Sequence, residues 1–155
     1  MKFLLVLVFG AILTEIAGYL LHRVLHSSRL GSLHTAHLSH HTVQYPPNDF
    51  LGPVYRSAGS SSTLYPFLAV GVVLAGLLMW LAPLWLALPL ILDLAVVGAI
   101  NDRVHGALHI RGHWLERFEM FHYLRYLHWI HHEKMVFNYG IVTFGTDKAV
   151  GTFIS

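Results

Sequence analysis

The chain has no cysteine in its 155 residues, which excludes disulfide staples, thiolate metal sites and cysteine nucleophiles. Charge is scarce: Asp, Glu, Lys and Arg make up 12% of the residues, about half of the ~25% usual for a soluble domain. Formal net charge is +2 with no basic run, so the electrostatic footprint of a nucleic-acid binder is missing and no nucleic-acid partner is expected. Instead, 55% of the residues are hydrophobic, and thirteen are histidines against eight acids and ten Lys plus Arg. The first excess points to a membrane and the second to the chemistry. The length suits one domain, taken as 1–155.

Three stretches are apolar enough to span a bilayer: about 3–21, 64–82 and 84–100. Each approaches the ~20 residues a helix needs to cross a ~30 Å hydrocarbon core. Pro83 removes a backbone donor and disfavours helix just before it, so a tight hairpin is expected between the last two. Trp80 and Trp85 beside that bend suit an interfacial aromatic belt. Met1-Lys2 and the following apolar run also resemble a secretory leader, but the run passes unbroken into His22 and His26, on one helical face with Glu15.

Three crossings put residues 22–65 and 101–155 on the same side of the membrane. Nine of the ten cations lie there, all but Lys2, and so do all thirteen histidines. The positive-inside rule assigns that side to the cytoplasm and the N-terminus to the outside. The fold expected is all-α: about three transmembrane helices and a cytoplasmic helical cap carrying a histidine-rich dimetal site. Residues 44–63, rich in Pro, Gly and Ser, read as a connecting loop, 116–133 as a helix lying on the membrane, and 135–155 as an irregular cap.

The histidines fall in four spaced groups. His22 and His26 form an HxxxH pair, and His37, His40 and His41 an HxxHH triplet. His105 and His109 form a second pair, and His128, His131 and His132 a second triplet. Spacings of three and four place side chains on one helical face, so each group can aim its imidazoles at a common point. The order pair, triplet, hairpin, pair, triplet looks like half of a site repeated. Neutral imidazole ligates Zn, Cu, Fe and Ni with about four to six donors per ion, so ten donors suit two ions. A ligating histidine commonly gives its other N–H to an acceptor that fixes the ring. Asp102 is expected to do this for His105 and His109, Glu15 for His22, and His34 shares the face of His37 and His41. Gly112 is expected to end the helix before His113; His122 points away from the triplet, and Asp93 has no assigned role.

These four groups around a membrane hairpin resemble the fatty acid hydroxylase / sterol desaturase superfamily of integral-membrane, histidine-rich di-iron oxygenases. The resemblance extends from about His22 to Thr152 and includes Tyr45-Pro46-Pro47-Asn48-Asp49-Phe50, Asn138-Tyr139-Gly140 and Gly151-Thr152. It implies that His22, His26, His37, His40, His41, His105, His109, His128, His131 and His132 hold two iron ions, with zinc possible in a purified sample and no catalytic residue beyond the ligands. Members commonly end in aromatic-Asp-basic-Leu-Phe-Gly-Thr, whereas residues 146–152 read TDKAVGT.

The activity implied uses O2 and external electrons to hydroxylate, or desaturate, an unactivated C–H bond of a lipid such as a fatty acyl chain, sterol or carotenoid. No flavin, nicotinamide or Fe–S motif is present, so the electrons would come from a partner of ferredoxin or cytochrome b5 type. The alternative is a membrane metal-binding or metal-transport protein without oxygenase activity. Transporters place polar ligands near the bilayer midplane, and these spans carry no histidine.

Overall fold

The computed structural model describes residues 2–57 and 64–155; Gly59-Ser60-Ser61-Ser62 of the expected loop lies outside them. The described residues form six α-helices and no named strand: α1 (Lys2–Leu25), α2 (Ser32–Ser39), α3 (Leu64–Leu81), α4 (Leu84–Leu108), α5 (Glu119–Glu133) and α6 (Gly145–Val150). Two of them, over Phe3–Leu25 and Leu84–Leu108, are long and apolar enough to cross a membrane; Tyr65–Leu81 is a shorter apolar helix.

The hairpin forms where Pro83 was expected to make it. Ala82 N–H still bonds Leu78 O, and Pro83, in extended conformation, accepts from Leu86 and Ala87 to start α4. Both long helices outrun the hydropathic stretches of the sequence reading, continuing past Leu21 to Leu25 and past Ile100 to Leu108. The extra turns carry His22 and His105. α1 and α4 pack together and run in the same direction, so both pairs stand level at one end, while α3 returns antiparallel. The close approach is made at Gly10, where a Cβ would come within 2.2 Å of Asp93 Oδ2.

The ends of α1 and α4 are tied down. His34 Nδ1–H donates to Leu25 O at the end of α1 (3.0 Å), and Gly31, at φ +54°, turns the chain into α2. α4 stops at Leu108 with His109 as its cap, short of Gly112. Its last carbonyls, unpaired within the helix, meet Arg125: Nε to Leu108 O (3.0 Å) and one Nη to Ile110 O (2.9 Å), while the other Nη pairs with Glu116. A parallel bridge, Gly52 N–H to His109 O (2.9 Å) and Arg111 N–H to Gly52 O (2.8 Å), clips the segment after the first triplet to this end. Small apolar clusters (Ala107, Leu108 and Phe121; Leu127, Ile130 and Phe144) lie beside the histidines, and among the described residues no such cluster lies between the long helices.

Candidate metal centre

The ten histidines of the pairs and triplets meet between the ends of α1 and α4, α2 and α5. Nine are at most 4% exposed and His26 is half-buried. They do not assemble pair by triplet. One group joins His22, His26, His37, His41 and His131, and a second joins His40, His105, His109 and His128, the ligand atoms of each lying within 4.8 Å of one another. Each triplet is therefore divided: the first sends His40 to the second group, and the second sends His131 to the first. Residues equivalent in the two halves play equivalent parts, and His132, counterpart of His41, stands beside the four of the second group. Its ring lies 4.7 Å from His128, 4.8 Å from His109 and 5.0 Å from His40. His41 and His132 face each other across the junction at 4.1 Å.

The division of the first triplet follows from backbone geometry. α2 passes at His40–Gln44 into a π-helical turn, and such wider turns recur at functional sites. Ring distances within the first group include 4.5 Å for His22–His131 and 4.6 Å for His26–His37. The nitrogens come closer: Nε2 of His26 is 3.1 Å from that of His131 and of His37, His41 Nε2 is 3.2 Å from His37 Nε2, and His128 Nε2 is 3.1 Å from His109 Nε2. Two imidazoles bound to one ion at ~2.1 Å and angles of 90–110° would have nitrogens about 3.0–3.4 Å apart.

Five rings are oriented from outside. Nδ1–H donates to Tyr139 O from His22 (2.6 Å), to Phe137 O from His131 (2.7 Å), to Tyr45 O from His132 (2.8 Å) and to Phe50 O from His109 (3.2 Å). His40 Nδ1 donates to Ser57, whose hydroxyl donates on to Gln44. A carbonyl only accepts, so each of these rings keeps its Nε2 unprotonated and turned inward. The Nε2 atoms of His22, His40 and His132 have no hydrogen-bond partner. Burial, with repulsion from neighbouring rings, holds His37, His40, His41, His109, His128 and His131 well below the ordinary 6.5 and His132 down to about 3. Protons are thereby kept off. Dry, converging imidazole lone pairs are a donor set for cations, and the residues present fit a pair of imidazole-loving metal ions.

For His22 and His109 the outer partners differ from those expected. Glu15 does not support His22, which bonds Tyr139 O; Glu15 Oε1 accepts from Thr146 N (3.1 Å) and Oγ1 (3.4 Å) at the start of α6. Two helical turns separate Glu15 from His22, and the unpaired amides opening α6 are nearer donors. His34 faces the end of α1, and Asp102 lines an apolar cleft beside His105. His113 accepts from Leu115 N, and exposed His122 donates to Glu116 O.

Sequence reasoning assigned no role to Asn138, Asp147 or Ser57. Asn138, fully buried at φ +54°, bonds Leu127 O and both backbone groups of Ile154. Asp147, also fully buried, accepts from Tyr139 N (2.9 Å), Gly140 N (2.8 Å) and Thr152 Oγ1 (2.8 Å). These two residues hold the segment whose carbonyls orient His22 and His131. Asp147, Gly151 and Thr152, which match the ending that the resemblance implies, make these contacts or the turn that allows them; where the chain departs from it, Ala149 and Val150 are exposed and Thr146 is half-buried against Glu15. The signal was available in the Asn138-Tyr139-Gly140 and Gly151-Thr152 motifs themselves.

Compared with known proteins, the chain matches one family model, described as fatty acid hydroxylase, over residues 7–152. No curated protein and no solved structure matches it.

Proposed function

This chain belongs to the fatty acid hydroxylase family, and on that premise we propose that it is a multi-pass membrane oxygenase acting on a lipid C–H bond. The observation that carries the reading is the two buried imidazole groups at one end of three apolar helices. The family's ions are iron, and all ten histidines are the proposed ligands: His22, His26, His37, His41 and His131 to one, His40, His105, His109, His128 and His132 to the other. When bound, the metal pair supplies O2 activation. In hydroxylation one oxygen atom enters the C–H bond and the other leaves as water, using two electrons and two protons. Desaturation removes two hydrogens and yields two waters.

The chain's own contribution is orientation and dryness. Backbone carbonyls of Tyr45, Phe50, Phe137 and Tyr139 set five-membered rings that would otherwise rotate. Tyr45 stacks on His109 at 3.9 Å and Phe50 covers it at 4.6 Å, closing the second group against water.

α3 is about 27 Å long, near the ~30 Å of a hydrocarbon core, so it serves as the second of three crossings. Trp80 and Trp85, both well exposed at the hairpin, suit the interface opposite the histidines. The cation distribution supports a histidine cap in the cytoplasm and an N-terminus outside. The two electrons come from a soluble or membrane donor of ferredoxin or cytochrome b5 type. The test is lipid mass spectrometry of cells expressing the protein or its His131→Ala variant, with metal content of both. A lipid gaining one oxygen or losing two hydrogens only with the unaltered protein is expected, with metal lost in the variant. Equal lipids and equal metal would overturn the proposal.

A further inference from the structure

The two halves of the histidine array match in spacing but not in how they are enclosed. His26 and His109 are counterparts, the second member of each pair. His109 is fully buried: Phe50 O takes its Nδ1–H (3.2 Å), Tyr45 stacks on it at 3.9 Å and Phe50 covers it at 4.6 Å. His26 has no such clamp, and Tyr139 meets it only edge-on at 5.6 Å. It lies one residue past the end of α1, on a turn that continues into Ser27-Ser28-Arg29, and it is half-buried where the other nine rings are buried. Its Nε2 stands 3.1 Å from Nε2 of His37 and of His131, whereas its Nδ1 meets no acceptor among the described residues and is not enclosed. A ligand ring without an outer acceptor is free to turn.

Resting on the two-ion reading, we infer that His26 is a gate ligand: hydrated divalent cations enter and leave the first group past it, while the ion of the second group is sealed in. With His26 turned aside, His22, His37, His41 and His131 still converge, and four imidazoles are enough for an ion of the zinc type. The residues that follow His26, Ser27, Ser28 and Arg29, are polar, so the opening faces the aqueous side rather than the hydrocarbon. The second group has no comparable opening among the described residues: its four histidines and His132 beside them are at most 2% exposed. Its ion is enclosed as the chain folds, and the first is exchanged afterwards. One chain can therefore carry two different metals.

The test uses the full-length protein in detergent micelles, loaded with zinc and then exposed to EDTA, with metal content read after gel filtration. Zinc should leave in two phases of one ion per chain, the first at least ~10-fold faster, since a missing outer partner weakens a ligand about 10–100-fold and affinity differences lie mostly in release. Cobalt added between the phases should give one zinc and one cobalt per chain. Carbethoxylation with peptide mapping should label His26 in step with the fast phase and His109 only with the slow one, exposed His122 being labelled from the outset. His26→Ala should speed the fast phase a further ~10-fold and leave the slow one within about twofold. Phe50→Ala, which uncovers His109, should do the reverse. Release of both ions in one phase, His109 labelled as early as His26, or a His26→Ala protein with an unaltered fast phase overturns the inference and leaves the two-ion reading standing. A protein that takes up no zinc removes both, so the two failures are distinguishable.

Discussion

In the apolar helices many large side chains face outward, Val72 72% exposed and Trp80 79%, and among the described residues no buried apolar cluster lies between them. At the other end nine imidazoles, Asn138 and Asp147 are buried while Trp114, Met120 and Val136 lie open. Each end reverses the usual disposition for a water-soluble protein, and each reversal indicates the surroundings it suits. Outward leucines and valines need hydrocarbon around them. Inward imidazole lone pairs suit cations among them, because an unpaired buried polar atom costs about 1–3 kcal/mol. The two regions meet at His22 and His105, which belong to both the cleft and the histidine groups.

That contrast can be broken at several points. Chelating the metal should have the largest effect, lowering the thermal midpoint in detergent by more than ~10 °C, since metal affinity is folding free energy at such sites. Next, Asp147→Ala strips three donors of their acceptor and should cost about 3 kcal/mol or more. It should also lower metal content, because the Tyr139 carbonyl that orients His22 shifts with it.

The third test is acid. For metal-free protein, a ring such as His132 is protonated in the unfolded chain near 6.5 but in the folded one only at about 3. The unfolded state therefore binds more protons across that interval, so stability is lost as pH falls from 6.5 towards 3 and is regained on neutralising. Denaturant midpoints measured at pH 7 and pH 5 check the sign. The smallest effect should be that of His122→Ala, within about 0.5 kcal/mol and with metal unchanged, because that ring is exposed and bonds only the Glu116 carbonyl.

Much of this was legible from local spacing. Helical faces gathered His22 with His26 and His37 with His41, Pro83 marked the hairpin, and long apolar runs marked the long helices. What spacing cannot report is partnership between distant segments. The acceptor of His22 lies 117 positions away, and no helical wheel connects the two. For the same reason Glu15, on the expected face, found Thr146 instead. The division of the first triplet comes with a π-helical turn, which a period of 3.6 residues does not foresee.

The exchange of His40 and His131 between the groups has a consequence for the chain as a whole. Neither the portion up to Ser57 nor the portion from Leu64 onward contains either histidine group whole. Severed between those residues and produced as two polypeptides, the protein should remain inert until the fragments find each other. Metal uptake would then be a direct reporter of their reunion.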